Sequence, residues 1–266
     1  MNRSAPRSTD TRRSHGFTLV EMLVVIAIIS ILMTAGSIGL SNLGGRGVTS
    51  GVDTTEALVD EARSLAIGKN LRSAVLVAKE LTNNPSEDRR RILVAYEEQV
   101  LDAEGNPVVD DDPNWVLTSR GAVLPEQTFF SEVFIRKNHE NSTPFSPSEI
   151  EIDGSKLKFL DRVENGQPIY KPASSSFNGK YYIYRFNSQG MPVDNLGETM
   201  GGASFVIGTG TRILAKPASS HPPKVVSSAK RDFGGFVIWR NGSTSVFRSP
   251  DQISTDMKTI APGSSF

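Results

Sequence analysis

Hydrophobic positions along the chain fall into three regimes. From Phe17 to Leu40 they run almost unbroken, and Glu21 is the single formal charge. From Val48 to Ala66 they recur at helical spacing: Val48, Val52, Leu58, Val59, Ala62, Leu65 and Ala66 take one face, and Asp53, Glu56, Asp60 and Arg63 the other. Gly68 and Asn70 suit the end of that helix. Beyond Lys69 the runs become short and rich in β-branched and aromatic residues, which predicts strands. The expected strands are Ala74–Ala78, Ile92–Tyr96, Trp115–Thr118, Thr128–Ile135, Leu157–Leu160, Tyr181–Phe186, Ala203–Ile207, Gly235–Trp239 and Ser245–Arg248. Turn chemistry separates them at Asp102–Pro107, Asn187–Gly190 and Asn241–Gly242, and Ser/Pro-rich loops are expected at Asn141–Ser148, Pro172–Asn178 and Lys216–Ser228.

The first regime has the dimensions of a membrane span. As a helix, Phe17–Leu40 would be about 36 Å long, against a bilayer core of about 30 Å. A carboxylate in such a segment costs roughly 2–3.5 kcal/mol at mid-membrane and less near its edge, so Glu21 calls for a partner. The preceding sixteen residues carry Arg3, Arg7, Arg12 and Arg13 against Asp10, whereas Arg46 stands alone after the run. That bias places the leader in the cytoplasm and the C-terminal bulk across the membrane, as a single-pass protein. The segment differs from an ordinary secretory signal: its core is longer, and the small residue Gly16 precedes the apolar run.

Between the apolar run and the amphipathic stretch lie Gly36, Gly39, Gly44, Gly45, Gly47 and Gly51. Each lowers helix stability by about 0.8–1 kcal/mol relative to alanine, so a soft or locally melted zone is expected. Ser50 and Asp53 would then cap a new helix start. Ala35/Gly39 and Gly47/Gly51 also have the small-xxx-small spacing that permits close helix approach.

Gly16-Phe17-Thr18-Leu19-Val20-Glu21-Met22-Leu23-Val24-Val25-Ile26-Ala27-Ile28-Ile29 resembles the processing signature of type IV prepilins, shared by pilins and the pseudopilins of type II secretion systems. The resemblance implies cleavage between Gly16 and Phe17 by a prepilin peptidase and N-methylation of Phe17 by the same enzyme. It also implies pairing of Glu21 with the terminal amine of a neighbouring subunit. Electrostatics supports that pairing independently, because two opposite charges in a poor dielectric attract strongly while each alone is penalised. Ala62-Arg63-Ser64-Leu65-Ala66 with Lys69-Asn70, followed by Ser73-Ala74-Val75-Leu76-Val77, resembles the H-type minor pseudopilins and FimT-like minor pilins. Gly121–Pro125 and Phe186–Gly190 match later patterns of that group loosely. Segments at roughly 80–115 and 136–178 are additional to it.

Composition narrows the chemistry. The 266 residues balance to zero net charge, and removal of the leader leaves −3. There is no cysteine, which excludes disulfides, thiolate metal sites and cysteine nucleophiles. Past the leader the histidines are His139 and His221, both in polar or Pro-rich loops, and no phosphate loop, nucleophile elbow or zinc spacing appears. An enzyme is therefore not expected, and no cofactor is assigned. Asp110, Asp111 and Asp112, with Asp102, Glu104 and Asn106, offer the oxygens of a Ca²⁺ site, but without EF-hand spacing, so a solvated acidic loop is favoured. Residues 80–112 hold ten acidic groups against Arg89, Arg90 and Arg91. Residues 212–248 hold Arg212, Lys216, Lys224, Lys230, Arg231, Arg240 and Arg248 against Asp232. Such a basic surface suits plain solvent-facing strand positions first, contact with an acidic neighbour in a filament second, and the DNA backbone third.

The expected architecture is α+β and pilin-like: a long N-terminal transmembrane and amphipathic helix packed on an antiparallel β-sheet domain. Its parts are a leader at 1–16, a membrane or filament-core helix at 17–40, an amphipathic extension at 41–70 and a periplasmic β-rich domain at 71–266. The expected function is a minor pseudopilin in a type II secretion-like pseudopilus, with the prepilin peptidase, other pilin or pseudopilin subunits and inner-membrane lipid as partners. Two alternatives stay open: a FimT-like minor pilin that binds nucleic acid during uptake, and a membrane-tethered periplasmic binding module or enzyme.

Overall fold

A computed structural model describes residues 19–20, 22–30, 43–101, 104, 107–108, 113–131, 148–194, 197, 199, 203–212, 224–225 and 233–247. They are mostly β-sheet with two helices, and the chain divides into two units, residues 1–42 and 43–266. In the first unit residues 19–20 and 22–30 are helical (α1), and every described side chain there is exposed. Ser30, the polar residue among them, donates its hydroxyl to the Ile26 carbonyl at 2.8 Å, which satisfies it within the helix. Among the described residues no helix is long and apolar enough to cross a membrane. The expected span at 17–40 lies partly outside them, as do Ala35, Gly36 and Gly39.

The second unit opens with α2 (Leu43–Lys69). Among the described residues sixteen strands follow in chain order: β1 (Ser73–Leu81), β2 (Arg91–Glu97), β3 (Val100–Leu101), β4 (Pro107–Val108), β5 (Trp115–Leu117), β6 (Ala122–Val123), β7 (Thr128–Phe130), β8 (Ser148–Ile152), β9 (Leu157–Glu164), β10 (Gln167–Pro172), β11 (Gly179–Phe186), β12 (Pro192–Val193), β13 (Ala203–Thr211), β14 (Lys224–Val225), β15 (Phe233–Ile238) and β16 (Thr244–Phe247). Each expected strand lies within or overlaps an observed one, and residues 132–135 lie outside the described set. β3, β4, β6, β8, β10, β12 and β14 were not expected. β10 carries prolines at both its second and last positions, which fits its place at the edge of a sheet, where missing N–H donors are tolerated.

The larger sheet runs β10-β9-β5-β2-β1-β11-β12, with β6 also on β2 and β8 also on β11. The smaller runs β14-β13-β15-β16, with β7 on β13, and β3 pairs with β4 around the expected turn at Asp102–Pro107. The expectation of a purely antiparallel sheet needs one correction: β5 and β9 are parallel, Trp115 opposite Leu157. Parallel neighbours need a long connection, and the stretch between Leu117 and Leu157 supplies it.

α2 begins at Leu43 and includes Gly44, Gly45, Gly47 and Gly51, so the expected helix start at Ser50–Asp53 is corrected: both residues lie inside it. Packing explains the glycines. A Cβ on Gly47 would stand 3.1 Å from Thr128 Cγ2, and one on Gly51 3.1 Å from Leu124 Cδ2. Gly234 on β15 would press on Val48 and Val52 at 3.2 Å. The close approach is therefore of helix to sheet. At the other end Asn70 turns left-handed (φ 54°), with Asn70 N–H donating to Ile67 O and Leu71 N–H to Ala66 O. That pair of bonds is the Schellman stop.

One core joins Val48, Val52, Val59, Ala62 and Ala66 of α2 to both sheets, through Val75, Val94, Tyr184 and Phe186 of the larger and Phe205, Ile207 and Phe236 of the smaller. A second core lies on the opposite face of the larger sheet, around Leu76, Leu93, Trp115, Ile152, Leu157, Phe177 and Tyr181. The 148–178 segment thus has a structural task, since it covers that face. Its route shows how. β8 borders β11 and β9 borders β5, yet only residues 153–156 separate them. In a flat sheet those positions would be about 24 Å apart across the strands, more than such a linker spans. The larger sheet therefore coils around its second core.

Candidate functional site: the apolar helix and the domain behind it

Leu19, Val20 and residues 22–29 of α1 are all apolar, without glycine or proline. Exposure of the large side chains runs from 46% at Val25 and Ile29 to 81% at Leu19. A helix that is hydrophobic on all sides requires an apolar surround. Gly16, Phe17 and Glu21, the expected cleavage, methylation and intersubunit residues, lie outside the described residues, as does the rest of the basic leader.

In the domain the three stretches read as family-like meet on α2. Gly190 (φ 73°), at the end of the turn after Phe186, approaches the Arg63 and Ile67 side chains so closely that a Cβ would stand 2.8 Å from Ile67 Cδ1. Leu124 packs under Gly51. Arg63 Nη2 donates to the Asn241 carbonyl at 3.2 Å, and Ser73 Oγ to the Ala62 carbonyl at 2.6 Å. Glu56 and Glu61 accept from Thr244 and Thr118, at 2.7 and 2.8 Å. These residues fix the helix to the sheets rather than forming a reactive centre.

Several described residues of the expected charged regions find partners within the chain. Glu97 forms a two-pronged pair with Arg72 at 2.5 and 2.6 Å, Glu98 binds Lys158 at 2.6 Å, and Glu87 pairs with Arg91. Arg212 faces the fully buried Asp88 at 3.9 Å. An acidic-to-basic contact between these two regions thus exists, but inside one molecule. Arg240 donates to Thr199, and Lys224 is exposed. Lys216, Lys230, Arg231, Asp232, Arg248, His139 and His221 lie outside the described residues. So do Asp102, Asn106, Asp110, Asp111 and Asp112 of the suggested Ca²⁺ loop, of which Glu104 is described. Among the described residues no group of three or more His, Asp or Glu could hold a metal.

Sequence reasoning treated Asp88 and Arg212 only as members of charge runs. Burial pushes the Asp88 carboxyl up to about 6, against the lowering effect of a hydrogen bond from the Leu81 amide (2.6 Å) and the charge of Arg212. Burial also lowers the Arg212 pKa. The signal available in sequence was weak: charged residues separated by more than a hundred positions have no local pattern that announces a pair.

The model of the prokaryotic N-terminal methylation motif matches residues 11–37. The chain carries the motif typical of type IV prepilin-like proteins, which marks a membrane-anchored precursor. It implies processing by a prepilin peptidase and assembly with other pilin subunits. No curated protein and no solved structure matches the chain.

Proposed function

We propose that this chain is a non-enzymatic minor pseudopilin, cut after Gly16, methylated at Phe17 and incorporated into a type II secretion-like pseudopilus through its N-terminal helix. The observation that carries this reading is the methylation motif at residues 11–37 on a helix whose described apolar side chains are all exposed. In the membrane, lipid surrounds that helix; in the filament, the helices of neighbouring subunits do. Cleavage creates an ammonium group at Phe17, and Glu21 of an adjoining subunit neutralises it. Both charges are costly alone in an apolar bundle and tolerable together. The β-rich domain stands in the periplasm and meets neighbours or cargo.

Peptide mapping of the protein from cells that contain the peptidase tests the first step. The expected N-terminus is N-methyl-Phe17, and a mature chain that begins at Met1 overturns the reading. Glu21→Ala tests the second step. Membrane insertion is retained and co-assembly with other subunits is lost, as measured by fractionation and cross-linking; unchanged assembly removes the proposed role of Glu21.

A further inference from the structure

At the seam between the two sheets, the guanidinium groups of Arg89, Arg90 and Arg212 and the carboxylates of Asp88 and Glu80 lie near a cleft of about 390 Å³. Asp88 comes from the β1–β2 connection and Arg212 follows β13. Their side chains are 0% and 3% exposed, and Nη1 of Arg212 stands 3.9 Å from Oδ2 of Asp88, too far for a hydrogen bond. Arg212 instead donates to the carbonyls of Pro85 at 2.6 Å and Asp88 at 3.3 Å, and its buried Nε has no partner among the described residues. Arg89 is buried next to Asp88 in sequence. Arg90 donates twice to the Leu124 carbonyl, at 3.2 and 2.7 Å, and once to that of Ser86 at 3.3 Å. Carbonyl partners satisfy the protons of a guanidinium without cancelling its charge. The charges of Arg89 and Arg90 act against that of Arg212, and Asp88 offsets them.

The cleft opens beside two of these guanidinium groups. Arg90 and Arg212 line it with the ring of Phe129, which lies 5.5 Å from the Arg212 guanidinium, and with Thr211. Glu126, exposed, is the acidic residue in its lining. We propose that the cleft binds a ligand through one carboxylate held by Arg90 and Arg212, with the ligand's carbon skeleton against Phe129. A planar carboxylate matches the guanidinium fork. Glu126 opposes a second negative charge and so disfavours phosphate dianions. The carboxylate comes either from an acidic side chain of a polypeptide or from a free small acid.

Calorimetric titration of the full-length protein in detergent micelles separates these sources. The probes are the blocked pentapeptide Gly-Gly-Asp-Gly-Gly, its Asn counterpart and propionate. Saturable binding of the Asp peptide is expected, with at least tenfold weaker binding for the Asn peptide and for Arg90→Gln. Glu126→Gln, a change at an exposed position that leaves the fold intact, is expected to strengthen binding several-fold. Propionate binding with the same dependence on Arg90 and Glu126 identifies a free acid, and binding of the peptide alone identifies an acidic polypeptide segment. Equal binding of the Asp and Asn peptides, no saturable binding of the Asp peptide or propionate, or indifference to Glu126→Gln overturns the proposal.

Discussion

The helices α1 and α2 draw on similar apolar residues and use them in opposite ways. In α1 valine, isoleucine and leucine occupy every side, and all the described ones are exposed. In α2 they form a stripe: Val59, Ala62 and Ala66 are 0% exposed, while Asp53 and Asp60 face solvent. Burying a Val, Leu or Ile side chain contributes about 1.5–3 kcal/mol. α2 gains this within its own domain. The described side chains of α1, all exposed, gain it only in an apolar surround. Hydrophobicity alone does not separate these cases; the presence or absence of a polar face does.

The sharpest test places the same charge in each helix. Val59→Asp buries a carboxylate among Val75, Val94 and Phe205 of the first core, and we expect a loss of about 3–5 kcal/mol of domain stability, seen as a collapse of the thermal transition. Val25→Asp in α1 leaves that transition unchanged and reduces membrane anchoring and assembly, as read by fractionation. Equal domain destabilisation by both would break the comparison.

Gly235→Ala probes the sheet beneath α2. Its Cβ would fall 2.1 Å from the Phe205 carbonyl oxygen and 2.6 Å from the Phe247 ring, and a cost of about 3 kcal/mol is expected from overpacking against backbone.

The domain also has a titration that the described part of α1, which contains no ionisable side chain, does not share. The Asp88 carboxyl titrates at about 6 when folded and near 3.9 when unfolded. Between those values the folded state holds the extra proton. The contribution of this group to stability is therefore greatest below pH 4 and declines as pH rises through 6, by up to about 3 kcal/mol. Denaturant melts across that window should show the slope, and Asp88→Asn should remove it.

The smallest effect expected is a gain. Gly68 is helical and a Cβ there would meet nothing within 4 Å. Gly68→Ala should stabilise α2 by about 0.8–1 kcal/mol through helix propensity, visible as a rise in the midpoint of the domain transition.

The elements that were legible beforehand are those whose signal is local. The strand centres at Leu76, Leu93, Ile183 and Phe236 stood out through β-branched and aromatic runs, and Asn70 through its position after the last periodic residue. β8 (Ser-Glu-Ile-Glu-Ile) and the two-proline β10 did not, because their strand character depends on a neighbouring edge. The glycines of α2 were readable either as softness or as points of close approach, and sequence alone did not choose between the two. Gly47 and Gly51 lower intrinsic helix propensity, but the closeness of Thr128 and Leu124 makes them the residues that fit. Asp88 and Arg212, and the cleft beside them, were invisible as a unit.

The amino-acid order by itself determined that one segment is apolar on every side, carries a methylation motif and precedes an amphipathic helix and a strand-rich region. Those properties arise from near neighbours, through helical and strand periodicity and through short-range motif spacing. The tertiary structure alone decided that two sheets share one helix, that the larger sheet coils around a second core, and that an acid and a guanidinium more than a hundred residues apart are buried face to face. Such outcomes depend on which distant surfaces exclude water together, and no local pattern encodes that.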